Sequence, residues 1–166
     1  MKYHHHTESR IFGNYACFES LLRKWKKRNK TVVFTNGCFD LLHRGHAEYL
    51  AKAAEKGDKL IVGLNSDLSV SRLKGAGRPL TDQYSRAYML ASLRFVSAVV
   101  IFGEDTPEKL IEDITPDYLI KGGDYVPADI AGNEWVIAHG GKVETIPVVP
   151  GLSTSSLLRK INDQIK

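Results

Sequence analysis

The chain has 166 residues, 43% hydrophobic and 25% charged, the balance of one soluble domain large enough to enclose a core. Twenty-three Lys and Arg against nineteen Asp and Glu leave a net charge of +4, which suits a small anionic ligand and is too mild to argue for nucleic acid. No apolar run approaches the roughly 20 residues that cross a bilayer, and Met1 to Tyr15 carry no apolar leader segment. Two cysteines, Cys17 and Cys38, make neither a disulfide framework nor a Cys-rich metal site, so a reducing cytoplasm is the expected compartment.

Residues 1–16 are expected to be poorly ordered, ahead of a single domain over 17–166. His4-His5-His6 is a tract of a kind that binds metals, but three histidines at a chain end are more often incidental, and no metal site is assigned to them. Phe18, Leu21, Leu22 and Trp25 follow helical spacing. The basic stretch Arg23 to Lys30 reads as a solvated helix face and turn. Thr31-Val32-Val33-Phe34-Thr35 is a β-branched run of the kind found in a buried parallel strand. A helix is predicted over about Gly45 to Lys56, closed by Gly57-Asp58, then a second buried strand within Lys59 to Asn65. Ser66 to Leu80 carries Gly75, Gly77 and Pro79, so its later part reads as a loop. Thr81-Asp82 can cap a helix running to about Leu93, and Ser97 to Phe102 is a third strand. Thr106-Pro107 opens a helix to about Ile114. Asp117 to Lys121 is a fourth strand, ended by Gly122-Gly123. A short helix near Asn133 to His139 leads through Gly140-Gly141 to a fifth strand, Val143 to Pro147. The last helix begins near Ser153 and carries Leu157, Leu158 and Ile161.

This alternation predicts an α/β fold: a Rossmann-like open parallel five-stranded sheet with helices on both faces. Such sheets bind ligands beyond the carboxyl ends of their strands, where strand order reverses, and the first strand usually borders that point. The segment after it is Asn36-Gly37-Cys38-Phe39-Asp40-Leu41-Leu42-His43-Arg44-Gly45-His46. It leaves a strand and enters a helix, where free N–H groups and the helix dipole favour an anion. Gly37 permits a sharp turn, and Gly45 lets a phosphate approach without a Cβ in the way. His43 and His46, three apart, share one helix face and can donate to phosphate oxygens. They could instead be metal ligands, though no Cys or acid cluster completes a set, or plain surface histidines. The G-x-G-x-x-G spacing of dinucleotide sites and the Walker A loop are both absent.

The segment Gly37 to His46 resembles the G-x-F-D-x-x-H-x-G-H motif of the cytidylyltransferase-like nucleotidyltransferases. Asn65-Ser66-Asp67, Arg72-Leu73-Lys74-Gly75 with Arg78-Pro79, Glu104-Asp105-Thr106-Pro107, Lys121-Gly122-Gly123-Asp124-Tyr125 and Gly151-Leu152-Ser153-Thr154-Ser155 extend the resemblance to the adenylyltransferase domain of ADP-heptose synthases, over roughly residues 31 to 162. In that group the domain is often fused to a sugar kinase, for which 166 residues leave no room, so a stand-alone form is expected. The implied reaction joins ATP and D-glycero-D-manno-heptose 1-phosphate into ADP-heptose and pyrophosphate, with Mg²⁺ bridging the ATP phosphates and no resident metal.

The resemblance implies catalytic roles for His43, His46 and Lys74, the last in a segment over Asp67 to Leu80 expected to be mobile and to close on the phosphates. It implies nucleotide binding by Gly37, Cys38, Phe39, Gly45, Gly123, Asp124, Ser153, Thr154 and Ser155, with Asp124 near the ribose or base and the hydroxyls of 153–155 at a helix N-terminus. Cys38 reads as a small apolar residue, since the reaction needs no thiol nucleophile. Asn36 and Asn65 are expected to contact substrate, Asp40 to orient the nucleophile or a histidine, and Arg86 to bind substrate. An Asp that merely caps a turn and an arginine on a helix surface are the competing readings for the last two. Many members carry a basic residue where this chain has Leu158; Arg159 follows one position later, turned by about 100° around a helix. Partners are therefore ATP and a sugar 1-phosphate, with no nucleic acid or membrane, and a homodimer left open. The alternatives are a CTP-dependent cytidylyltransferase acting on glycerol 3-phosphate or a similar alcohol phosphate, and a non-catalytic nucleotide-binding module.

Overall fold

A computed structural model describes residues 2–123, 125–147 and 154–165. In chain order the elements are α1 (Lys2–Glu8), β1 (Ile11–Phe12), α2 (Tyr15–Lys26), β2 (Val32–Gly37), α3 (Arg44–Ala54), β3 (Lys59–Asn65) and α4 (Asp67–Lys74). There follow α5 (Gln83–Ala91), β4 (Val96–Phe102), α6 (Glu108–Ile114), β5 (Tyr118–Gly122), a 3₁₀ turn at Pro127–Asp129, α7 (Asn133–Ala138), β6 (Lys142–Ile146) and α8 (Thr154–Ile165).

The strands form one all-parallel sheet in the order β1-β4-β3-β2-β5-β6. Alternate residues of each strand feed two cores, the consequence of the period of two along a strand. Val32, Phe34, Ile61 and Val100 pack under α2 and α6 with Phe18, Leu22 and Ile111. Val33, Leu60, Val62 and Val99 pack on the other face with Leu50 and Ala53 of α3 and Ala87 and Leu90 of α5. The register of β3 against β4 skips Ser97, so Val96 and Ala98 fall on opposite faces. Strand order reverses between β2 and β5, and the two flanking strands end in Gly37 and Gly122.

The sheet has six strands where five were expected. The sixth, β1, is two residues long, too short to carry a periodic signal; it exists because Ile11 and Phe12 pair with Val99 and Val100. Residues 2–16, expected to be poorly ordered, contain that strand, the helix α1 and the start of α2. Arg10 fastens them by donating from Nη1 to the carbonyls of Ala91 (3.3 Å) and Val96 (3.0 Å). Asn14 caps α2 by accepting the Cys17 N–H at 3.0 Å.

The first half of the segment over 67–80 is the helix α4, not loop. Ser66 caps it, its Oγ accepting the Ser69 N–H at 3.3 Å, and Arg72 donates from Nε to Asp105 at 2.8 Å. Beyond Lys74 the chain is irregular as expected, with Gly75 and Gly77 at φ of 90° and 87°, a backbone region open to glycine.

Candidate active site

At the carboxyl ends of β2 and β5 lies a cleft of about 260 Å³. Its walls come from the β2–α3 junction, the end of α4, the end of β5 and the first residue of α8. Two glycines give its floor shape. A Cβ on Gly37 would sit 3.0 Å from the Phe39 ring, and one on Gly122 would sit 3.1 Å from the Tyr49 ring. Phe39 adopts a φ of 45°, uncommon for a non-glycine residue, and its ring lies edge-on to His46 at 5.2 Å. Tyr49 is locked from behind: it donates to the Ile120 carbonyl at 3.1 Å, leaving Thr35 Oγ1 to donate to it at 2.5 Å. That burial pushes its hydroxyl up to about 12, so it stays protonated.

His43 is the N-cap of α3, and its Nδ1 accepts the His46 N–H at 3.4 Å. A ring whose Nδ1 accepts carries its neutral proton on Nε2, so His43 offers an Nε2–H donor. The two imidazoles stack with centroids 3.8 Å apart and planes 19° from parallel. Burial lowers the basicity of both, and His46 falls to about 4, further depressed by the charge His43 takes up on protonation and by Lys74. At neutral pH the pair is uncharged: a hydrogen-bond donor set at a helix N-terminus rather than a double cation.

The positive charge of the cleft comes from two lysines. Lys74, at the end of α4, is exposed to the cleft. Lys121, near the end of β5, donates to Asn36 Oδ1 at 3.0 Å and lies 5.7 Å from the centre of the Tyr125 ring. Burial lowers its basicity. No carboxylate among the described residues forms an ion pair with either lysine. His46, Lys74 and Lys121 line the cleft, while His43 stacks on His46 without lining it; two cations unpaired among the described residues beside a neutral donor make a receptor for a multiply charged anion.

Of the residues expected to serve this site, the structure gathers Asn36, Gly37, Cys38, Phe39, Asp40, His46, Lys74 and Thr154 at the cleft. Gly45 is buried in the first turn of α3, and Gly123 follows β5 at a φ of 115°. Asp124 and Ser153 lie outside the described residues, and Ser155 falls within α8.

Three expected substrate contacts are engaged elsewhere. Asp40 lines the cleft, but its carboxylate is taken by Arg78 at 2.5 Å and the Leu80 N–H at 2.6 Å, while its carbonyl accepts from Thr81. Burial alone would raise its pKa, yet these bonds hold it below the usual carboxylate range. Its oxygens serve as a latch between two loops. Asn65 is 3% exposed, donates to Ser69 Oγ at 2.9 Å and does not line the cleft. Arg86 is neither a cleft residue nor a surface one. It is 3% exposed, and it donates to the carbonyls of Thr81, Cys38 and Asn65 and to the carboxylate of Asp67 at 2.7 Å. It rivets the ends of β2 and β3 to the starts of α4 and α5.

Sequence reasoning placed Lys121 and Arg78 within the segments that carry the resemblance but gave neither a role of its own. A lysine closing an otherwise apolar strand, Leu119-Ile120-Lys121, is a signal for the first, since such a position points a charge to the ligand-binding rim. Arg78 had no signal, because its partner Asp40 is 38 residues away.

As for a metal, the cleft's acidic side chain among the described residues, Asp40, is already bound to a guanidinium, so these residues do not form a cage for Mg²⁺. The metal-capable trio His4, His5 and Glu8 does not line the cleft.

Comparison with known proteins agrees with this geometry. The cytidylyltransferase-like family model matches residues 34–157. The chain is 52% identical over 139 residues to the bifunctional protein HldE of Syntrophotalea carbinolica, covering 84% of this chain and 28% of that protein. It is 51% identical over 159 residues to HldE of Geotalea uraniireducens, covering 95% of this chain and 32% of the relative. The chain thus spans about a third of the length of these relatives. A crystal structure of a lipopolysaccharide core biosynthesis protein from Thermoplasma volcanium superposes with a TM-score of 0.59 at 25% identity, over 72% of this chain and 97% of that one. Pantoate–β-alanine ligase from Francisella tularensis, at 17% identity and a TM-score of 0.59 over 90% of this chain and 72% of its own, shares the fold.

Proposed function

The chain belongs to the cytidylyltransferase-like family of nucleotidyltransferases, and on that premise we propose that it transfers AMP from ATP to a sugar 1-phosphate, D-glycero-D-manno-heptose 1-phosphate, giving ADP-heptose and pyrophosphate. The observation that carries the chemistry is a cleft lined by His46, on which His43 stacks, and by Lys74 and Lys121, neither of which forms an ion pair with a carboxylate among the described residues. The choice of acceptor draws on the Arg-Leu-Lys-Gly and Lys-Gly-Gly-Asp-Tyr segments and on the similarity to HldE proteins.

An oxygen of the sugar phosphate attacks the α-phosphorus of ATP in line with the α–β bridging oxygen. The new P–O bond forms as the bridging bond breaks, and pyrophosphate leaves with the bond's electron pair. No covalent intermediate on the protein is needed, so the residues act by position and charge. His43 donates from Nε2–H, with His46 beside it, to oxygens whose charge grows at the transition state. Lys74 and Lys121 hold the phosphates as cations, and Asn36 orients Lys121. Gly37, Cys38 and Phe39 shape the floor under the nucleotide, and Gly123 and Thr154 complete its wall. Mg²⁺ enters as MgATP, as part of the substrate.

The test is pyrophosphate release across ATP and CTP, each paired with heptose 1-phosphate and glycerol 3-phosphate. ATP with the heptose phosphate should give the highest kcat/KM. Preference for CTP with glycerol 3-phosphate would replace this reading with the cytidylyltransferase one, and release with no pair would dismiss both. Turnover should require Mg²⁺, while Asp40→Asn should leave the Mg²⁺ dependence unchanged.

A further inference from the structure

The N-terminal helix carries a cluster that the transferase reaction does not use. In α1, His4 and Glu8 are one turn apart, and the His4 Nδ1 lies 3.0 Å from Glu8 Oε2. The Nδ1 of His5 lies 3.9 Å from the same oxygen. One ligand atom from each of the three residues falls within 4.8 Å of the other two. Tetrahedral zinc with bonds of about 2.0–2.2 Å needs its ligands spaced by about 3.3–3.6 Å, which the separations of 3.0 and 3.9 Å bracket.

A second observation sets this trio apart from a loose histidine tract. Tyr84 of α5 donates its hydroxyl to Glu8 Oε1 at 2.9 Å, which turns Oε2 towards the two imidazoles. A hydrogen bond that fixes the far oxygen of a carboxylate is the outer support that metal sites characteristically have. The His4 ring also lies 5.9 Å from the Tyr88 ring on the same helix. The third histidine is excluded from the cluster, since His6 takes its hydrogen bond from Arg10 instead.

We propose that His4, His5 and Glu8 form a binding site for a zinc-class divalent transition metal, with Tyr84 as the positioning residue and a fourth coordination place left to water. Two imidazoles and one carboxylate select such an ion over Mg²⁺ or Ca²⁺, which take all-oxygen sets. The bound ion ties α1 to α5 through Glu8 and Tyr84.

Calorimetric titration of the full chain with Zn²⁺ alone tests this. One equivalent should bind. His4→Ala and His5→Ala should each weaken binding at least tenfold, and Tyr84→Phe about tenfold through loss of the support. His6→Ala should change it less than twofold. These side chains are exposed or half-exposed, so unfolding midpoints of the metal-free variants should stay near that of the parent. Absence of saturable binding would overturn the proposal. So would a His6→Ala loss equal to that of His4→Ala, or an unaffected Tyr84→Phe, since either pattern describes an unstructured histidine tract.

Discussion

Arg86→Met separates a structural arginine from a substrate-binding one. The replacement keeps a long apolar stem and removes every donor of the guanidinium. It strands the carbonyls of Cys38, Asn65 and Thr81 and the carboxylate of Asp67. Removing one partner of a buried ion pair costs about 3–5 kcal/mol. Asp67 is 40% exposed and can rehydrate, which places the expected loss at the lower end, about 3 kcal/mol. For a chain of this length each kcal/mol moves the melting midpoint by about 2–4 °C, so Tm should fall by roughly 6–12 °C. Arg86→Lys should recover only part of this, because an ammonium cannot serve carbonyls on two strands and a carboxylate with one fork. The assay is calorimetric unfolding alongside steady-state kinetics, run well below the variant's midpoint. KM for ATP and for the sugar phosphate should stay within about twofold of the parent. An unchanged Tm together with a KM raised by an order of magnitude would refute the rivet and restore Arg86 to the substrate.

Three further outcomes follow from the cleft. His43→Ala and His46→Ala should each lower kcat by roughly 10²-fold with the fold intact by circular dichroism, as expected of donors to a developing charge. Lys74→Ala should lower kcat more than it weakens ATP binding, with fast hydrogen exchange confined to 75–78 and slowed when both substrates are present; exchange equal in both states would show an ordinary solvated turn. His46 titrates near 4 in the fold and near 6.5 unfolded, so the unfolded chain binds its proton first as pH falls. The contribution of His46 to stability is therefore complete above about pH 6.5 and is lost between 6.5 and 4, and the difference in urea-unfolding free energy between the parent and His46→Asn should change across that window and be flat above it.

The β2–α3 junction was legible because its chemistry is local: a buried strand, two glycines and two histidines within eleven residues place an anion site without knowledge of anything distant. The existence of the five longer strands was legible for a similar reason, since each has its own apolar run and its own following helix, whereas their order in the sheet was not. Helix α4 was hidden by its composition. Only Ser69 and Val70 are buried in it, Leu68 and Leu73 face solvent, and the glycines beyond draw the eye to a loop. Strand β1 was hidden because two residues owe their extension to a partner 88 positions away, Val99 for Ile11. The same non-locality explains Arg86 and Asp40. A charged residue on a helix or loop carries no mark in sequence of whether its partner is a ligand or a carbonyl 48 positions back.

The latch on Asp40 sets the reach of the cationic arm. Helix α4 is held at its start by Arg86 on Asp67 and near its end by Arg72 on Asp105. Beyond Lys74 the chain is caught again at Arg78 and Leu80 by a single carboxylate. Only Gly75, Ala76 and Gly77 lie between the helix end and that catch, a tether of about 10 Å at full stretch. Lys74 thus swings on a short cord whose far end is knotted to the loop that carries His43. Any travel of the ammonium beyond what three residues can pay out must pull on that loop, so the position of the cation and the aim of the histidines are mechanically one setting.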